Sequence, residues 1–293
     1  MFRPVGKSFF GVLAPTVVRC ESDADVRAKH FGQWAPDWSR TWNNDWDFRH
    51  PKEEAVVDKK KFKTIHLIMV RHGQYDLKEK HLTALGREQA ILTGKRISDM
   101  CNGLVSDHYG KRRIRVRYIH HSDLPRAAET AAIVASQLAV PEHVKVRSDG
   151  MLAEGWPCLP DSYRDADKVR PSHLFAESAR IEAVFRKYCH RVSDHKKKLV
   201  ESSDFDDSVK VPVEVVTAIT DDEIEEEYVV LICHQNIIRY FVCRALQLPP
   251  EAWLRFRGSN CGITEIIISD DGRVALERFA DVGHLPLSHL TFH

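Results

Sequence analysis

Residues 65–70 read IHLIMV, an apolar run that leads straight into Arg71-His72-Gly73-Gln74. A run this short and nearly continuous suits a parallel strand buried on both faces. A histidine just past such a strand stands where open α/β sheets gather their ligands. Gly73 lets the backbone approach a ligand closely. Downstream the pattern repeats. Leu82-Thr83-Ala84 opens a helical stretch that runs to about Met100, and Arg117–His120 reads as a strand. Asp123–Leu138 reads as a helix, as does Ser178–His190, where Ile181, Val184, Phe185 and Tyr188 share a face. Tyr228–Cys233 (YVVLIC) is a second buried strand and Asn236–Leu246 a helix. Ile263–Ile268 is a further strand, and Asp270-Asp271-Gly272 after it has the chemistry of a hairpin turn. Strands alternating with helices predict an α/β fold: a three-layer α/β/α sandwich around a mostly parallel central sheet.

Three predicted strand ends carry polar residues of one kind. Arg71 and His72 follow the first strand, His234 follows YVVLIC, and Ser122–Thr130 (SDLPRAAET) follows the strand at 117–120. Arg126 falls in the first turn of the next helix, where a cation opposes the helix dipole unless an anion is present. Two arginines and two histidines at the carboxyl ends of one sheet describe an anion pocket. Guanidinium forks match phosphate oxygens in two-point contacts. An imidazole, with an ordinary pKa of about 6.5, can be neutral and nucleophilic near neutral pH. The set suits attack on a phosphoryl group with no metal and no cofactor.

Val70–Gln74, Leu82–Ala90 (LTALGREQA), Ser122–Thr130 and Cys233-His234 together resemble the histidine phosphatase (phosphoglycerate-mutase-like) superfamily, over about residues 64–282. The resemblance implies the phosphoglycerate-mutase-like fold and a transient phosphoryl group on His72. It implies that Arg71, Arg126 and His234 bind the phosphoryl oxygens and stabilise the transferring group. It also implies a general acid between the second and third strands' motifs, and Leu152-Ala153-Glu154-Gly155 fits, with Glu154 as that acid. True mutases of the superfamily carry Glu-Ser and, shortly beyond, Asn after the Arg-His-Gly; here Gln74, Tyr75 and Lys78 stand there. Stretches such as Ala179–Arg186, His234–Leu246 and Gly272–Leu276 are similar to the superfamily's mitochondrial serine/threonine protein phosphatases. That branch implies phosphoserine and phosphothreonine proteins as substrates, a mitochondrial, outer-membrane location, and self-association through a Trp-Asp-x-Asn-Trp-Asp motif. Trp42-Asn43-Asn44-Asp45-Trp46-Asp47 resembles that motif, so Trp42, Trp46 and Asp47 are the candidate multimerisation residues. The rival expectations are a mutase or phosphatase of small phosphorylated metabolites and a non-catalytic mitochondrial scaffold.

Composition narrows the remainder. Lys+Arg 43 against Asp+Glu 42 gives a net charge of +1, which argues against a nucleic-acid partner bound through global charge. Seven cysteines with no CxxC pair argue against a disulfide framework and a structural zinc site, and favour buried, reduced thiols. Residues 1–20 are basic and hold the apolar stretch Phe9–Val18, broken by Pro15. This reads as a targeting or membrane-anchor segment, with membrane association expected. Residues 21–63 form a Trp-rich assembly segment and linker with Trp34, Trp38, Trp42 and Trp46 spaced by four. Such a segment must pack on its own domain or on another chain. Residues 64–293 make the catalytic domain, carrying a charged insertion at about 194–227. The basic stretch Lys111–Arg117 reads as a strand with one wet face.

Overall fold

The computed structural model describes residues 42–49, 64–101, 116–138, 144–161, 170–191, 226–269 and 271–292. The expectations for residues 1–20, Trp34 and Trp38, residues 111–115 and the insertion as far as residue 225 lie outside them; Glu226 and Glu227, read as the end of that insertion, begin a strand instead. The chain divides into two units, Met1–Asn43 and Asn44–His293. Of the first, Trp42 and Asn43 are described. No helix among the described residues is long and apolar enough to cross a membrane.

In the second unit, β1 (Thr64–Arg71) is the strand read from IHLIMV. It is followed by α1 (Ala84–Cys101), β2 (Val116–His121), α2 (Pro125–Ser136) and β3 (Lys145–Ser148). Then come α3 (Pro171–Tyr188), β4 (Glu226–Cys233), α4 (Gln235–Ala245), β5 (Ile263–Ser269) and β6 (Val274–Asp281). The six strands form one sheet in the order β3-β2-β4-β1-β5-β6. β1, β2, β3 and β4 pair in parallel, whereas β5 and β6 run antiparallel, so the sheet is mostly parallel as expected. The hairpin turn closes β5 onto β6: Gly272 has φ +89°, and Ser269 N–H donates to the Arg273 carbonyl at 2.9 Å.

Alternation along β1 explains why the run is apolar apart from His66, which is buried 2.7 Å from a Glu265 carboxylate oxygen. Ile65, Leu67 and Met69 face a core with α3 and α4, including Val184, Phe185, Ile237 and Phe241. Ile68 and Val70 face the opposite core with α1 and α2, including Ile97, Met100, Ala131 and Val134. Successive side chains point to opposite faces of a strand. A polar residue at any of these five positions would therefore be buried without a partner. The result is the helix–sheet–helix sandwich the pattern predicted. Five cysteines are free thiols: Cys189, Cys233, Cys243 and Cys261 are buried and Cys158 is half-buried.

Three elements differ from the sequence reading. β3 (KVRS) is exposed at every position and has no apolar pattern to announce it. β6 was implied only by the turn before it. α3 begins at Pro171, ahead of its periodic apolar face, because its first turns lie in solvent and need no such face. Pro171 supplies a preset φ at the helix start.

Candidate active site

The carboxyl ends of β1, β4 and β2 meet because backbone pairing continues one residue beyond the strands. His72 N–H donates to the Cys233 carbonyl at 3.0 Å, and Ser122 N–H to the Ile232 carbonyl at 3.0 Å. This brings His72, His234 and Ser122 side by side, with the two imidazole centroids 5.1 Å apart. Arg126 enters from the first turn of α2. The residues expected from three separate motifs thus converge.

The hydrogen bonds fix both tautomers. His72 Nδ1–H donates to the Gly73 carbonyl at 2.8 Å, so the lone pair resides on Nε2, which accepts from Arg126 Nε at 3.1 Å. Arg126 Nη2 makes a long 3.4 Å contact to His234 Nδ1, and His234 Nε2 then donates to Ser122 Oγ at 2.8 Å. His72 is held neutral: burial pushes its pKa down to about 3, and Arg126 and Arg71 add to this against the opposing Gly73 hydrogen bond. Burial likewise drives His234 well below the ordinary imidazole value, helped by His72 and by Arg126, Arg71 and Arg180. Tyr75 packs edge-on against His72 at 5.2 Å, and the Arg126 guanidinium lies 4.6 Å above the Tyr75 ring.

Glu154 follows a short 3₁₀ turn at Gly150–Leu152. Desolvation raises its pKa to about 7, although the Gly155 N–H and the charges of Arg126, Arg71 and Arg239 pull it down. It therefore changes charge in the neutral range, as a proton donor and acceptor should. Arg180 of α3 fixes its loop, donating to the carbonyls of Met151 (2.7 Å), Ala153 (2.8 Å) and Glu154 (3.3 Å). Arg71 is anchored through Nη1 to the Gly258 carbonyl at 2.8 Å, with longer contacts to the Phe292 carbonyl.

The loop after β1 owes its shape to two glycines. A Cβ on Gly73 would lie 2.6 Å from the Gly86 carbonyl oxygen, and one on Gly86 only 1.9 Å from that of Gln74. The start of α1 can thus press against the loop after β1. Thr83 Oγ1 donates to Gln74 Oε1 at 2.8 Å, and Thr130 Oγ1 accepts from Gly73 N–H at 3.1 Å. Asn260 Nδ2 donates to the His72 carbonyl at 3.0 Å. These contacts account for the Leu-Thr-x-x-Gly stretch and for the Thr that ends SDLPRAAET.

Trp46 and Asp47 meet the sandwich at the far end of α3. Trp46 Nε1–H donates to the Gly272 carbonyl at 2.9 Å, and its ring lies 6.5 Å from that of Phe185. Asp47 is buried against Arg191, accepting from Nε at 3.0 and 3.1 Å and from the backbone N–H at 2.8 Å. Burial raises the Asp47 pKa, but the Arg191 hydrogen bonds outweigh it, and the carboxyl stays below its ordinary value. Trp42 is exposed.

Residues 67–156 and 173–281 match the profile of the histidine phosphatase superfamily, branch 1. The chain belongs to that superfamily. Its relatives include the mitochondrial serine/threonine-protein phosphatase PGAM5 of Rattus norvegicus, 34% identical over 96% of this chain and 92% of that protein. The Caenorhabditis briggsae protein of the same name is 34% identical over 86% of this chain and 81% of its own. Among solved structures, a phosphoglycerate mutase of Plasmodium falciparum aligns at 32% identity over 77% of this chain and 96% of that one, with a TM-score of 0.46. Family and relatives together make this chain a phosphatase. The relatives' names are mitochondrial, in agreement with the location expected from the sequence.

Several residues around the site were not singled out as functional by their sequence. Ser122 and Thr130 enter the sequence reading only as motif members, Tyr75 only as a departure from the mutase pattern, and Arg180 and Arg239 only within stretches of resemblance, whereas Arg257 and Asn260 carry no signal. Arg180 lies at helical spacing within α3, where a basic residue looks like part of a solvated face. Its role depends on a loop distant in sequence.

Proposed function

We propose that the chain is a protein phosphatase that removes phosphate from phosphoserine and phosphothreonine through phospho-His72, without a metal. The observation that carries the mechanism is the tautomer of His72, whose Nε2 lone pair stands against Arg126 while Nδ1 is tied to Gly73. Nε2 attacks phosphorus and the ester P–O bond breaks. Glu154 gives its proton to the leaving oxygen, and Arg71, Arg126 and His234 hold the phosphoryl oxygens. Water then attacks the phosphorus of phospho-His72 and loses a proton to Glu154. Phosphate departs, and both His72 and protonated Glu154 are restored. A developing charge met by fixed guanidinium donors lowers the barrier most where water is excluded. The substrate class is supported by the names of the relatives, which are serine/threonine-protein phosphatases.

The test is a panel of phosphopeptides and phosphoglycerates with acid-labile phosphohistidine trapping. Release from phosphopeptides, lost together with the trapped phosphoryl group in His72→Ala, supports the reading. Turnover of phosphoglycerates alone, or persistence of activity in a chelator-sensitive form, overturns it.

The same reading includes self-association through Trp42, Trp46 and Asp47 and an outer-membrane site of action. Trp42 is exposed whereas Trp46 and Asp47 are engaged within their own unit. In this division of labour Trp46 and Asp47 anchor the segment and Trp42 offers an indole to another copy. Light-scattering mass should fall in Trp42→Ala and Trp46→Ala. Identical mass in wild type and both variants would refute it.

A further inference from the structure

Beside the phosphate pocket lies a cavity of about 250 Å³, lined among others by Arg71, Glu154, Gln235, Asn236, Arg239 and Arg257. Arg71 and Glu154 belong to the catalytic set; His72, Arg126 and His234 do not line this space, so it adjoins the phosphate pocket without duplicating it. The volume falls below the roughly 300–1,000 Å³ of sites that enclose a whole small molecule. It suits a side-chain-sized group.

Its charge is unbalanced. Three guanidinium groups face one carboxyl group, and Arg239 and Arg257 repel each other. Among the described residues neither Arg239 nor Arg257 is in an ion pair. Asn236 Oδ1 holds Arg239 through Nη1 at 3.1 Å, and Arg257 rests over Phe292 at 5.7 Å. The buried Nε of Arg71, Nε2 of Gln235 and Nε of Arg239 have no acceptor within the protein. A neutral group would leave this excess of positive charge uncompensated; an anion answers it.

We infer that this cavity is a second anion subsite, which takes a carboxylate on the substrate close to the scissile phosphoester. In a phosphoprotein this is an Asp or Glu flanking the phosphorylated residue, so that form of the inference rests on the protein-phosphatase reading. Arg257 and Arg239 are then specificity-determining residues.

The experiment compares kcat/KM for two phosphopeptides identical except for Glu or Ala beside the phosphoserine, in wild type, Arg257→Gln and Arg239→Gln. A charge-assisted contact of this kind corresponds to a preference of about tenfold for the acidic peptide. The preference should shrink toward unity in Arg257→Gln and Arg239→Gln and weaken with added salt. The ratio is insensitive to a general loss of folded enzyme, which lowers both rates alike. An equal ratio in wild type and both variants overturns the inference, as does a wild-type ratio near one. A second pair, phosphoglycerate against glycerol phosphate, separates the two readings. If neither peptide is hydrolysed while small esters are, the protein-phosphatase reading falls. The subsite then stands if the carboxylate-bearing ester is preferred and Arg257→Gln removes that preference, and falls if it does not.

Discussion

Arg191 and Arg126 are guanidinium groups put to opposite uses. Arg191, at 2% side-chain exposure, has its anion built into the chain: Asp47 receives Nε and the backbone N–H, while Nη2 also reaches the Asn44 carbonyl at 2.9 Å. Arg126 faces two neutral imidazoles and, among the described residues, has no carboxylate in an ion pair. A buried charge without compensation is expensive. Where the chain supplies the counter-charge, the result is a closed, compensated clasp. Where it withholds it, the site is ready for an anion from outside. The two regions differ less in residue type than in who brings the carboxylate or phosphate.

The most severe way to break the open site is to remove its nucleophile. His72→Ala should lower turnover by on the order of 10⁴–10⁶, the range seen when a covalent nucleophile is deleted. The trapped phosphoryl group should vanish with it, while thermal unfolding shifts far less than in the clasp variants below. Single-turnover assays with quench-flow trapping check this; a variant with near-wild-type rate would end the phosphohistidine mechanism.

Next in size is Glu154→Gln, expected to cost about 10²–10⁴ in kcat/KM, as for loss of a general acid. The pH profile gives a second readout. Glu154 must be protonated to serve the leaving oxygen, and its pKa is raised to about 7. The rate should therefore fall as pH rises through about 7, and this limb should be missing in Glu154→Gln. His72, at about 3, stays unprotonated throughout the neutral range and contributes no limb there. A wild-type profile flat from pH 6 to 9 would remove Glu154 from the role.

The open site was legible in the sequence and the clasp largely was not. Arg71, His72, Arg126 and His234 sit just past strands or at a helix start, and apolar periodicity locates those points before any contact is known. Glu154 came only from resemblance, since a loop carboxylate has no periodicity of its own. Arg191 and Asp47 lie 144 positions apart and neither is in a patterned element. Arg191 follows the end of α3, next to a highly charged stretch, where a cation reads as solvated. Trp46 and Asp47 were recognised, but spacing alone left open whether they turn inward or toward another chain. Their inward contacts depend on the β5–β6 turn and on the far end of α3, a coincidence of three distant segments. β3 escaped for a related reason: an exposed edge strand held by pairing to β2 needs no buried side chains.

The clasp should respond to Asp47→Asn with a loss of stability of about 3 kcal/mol or more, because the substitution leaves Arg191 buried without its partner. Chemical denaturation at pH 7 measures it. The sign with pH follows from the depressed Asp47 pKa. Its contribution is full above the unfolded carboxyl value near 4 and is lost as pH falls through the lower folded value. The gap between wild type and Asp47→Asn should therefore narrow in strong acid; a constant gap would mean that the carboxylate charge is not what holds Arg191.

Trp46→Phe is the gentlest probe and the one that separates charge from packing within the clasp. It keeps an aromatic ring near Phe185 but removes the indole N–H that reaches the Gly272 carbonyl at 2.9 Å. That carbonyl belongs to a residue at φ +89°, where a Cβ would lie 2.6 Å from the Asn44 carbonyl oxygen, so the turn has little freedom to find another donor. The expected loss is about 1 kcal/mol, the net worth of one hydrogen bond, or roughly 2–4 °C in Tm for a domain of this size. The order Asp47→Asn well above Trp46→Phe is what an ion pair at the centre of the clasp requires. If the two losses are equal, the indole and its apolar contacts dominate, and Arg191 is a buried charge merely neutralised by Asp47. The contrast with Arg126 would then be one of compensation alone, not of stabilisation.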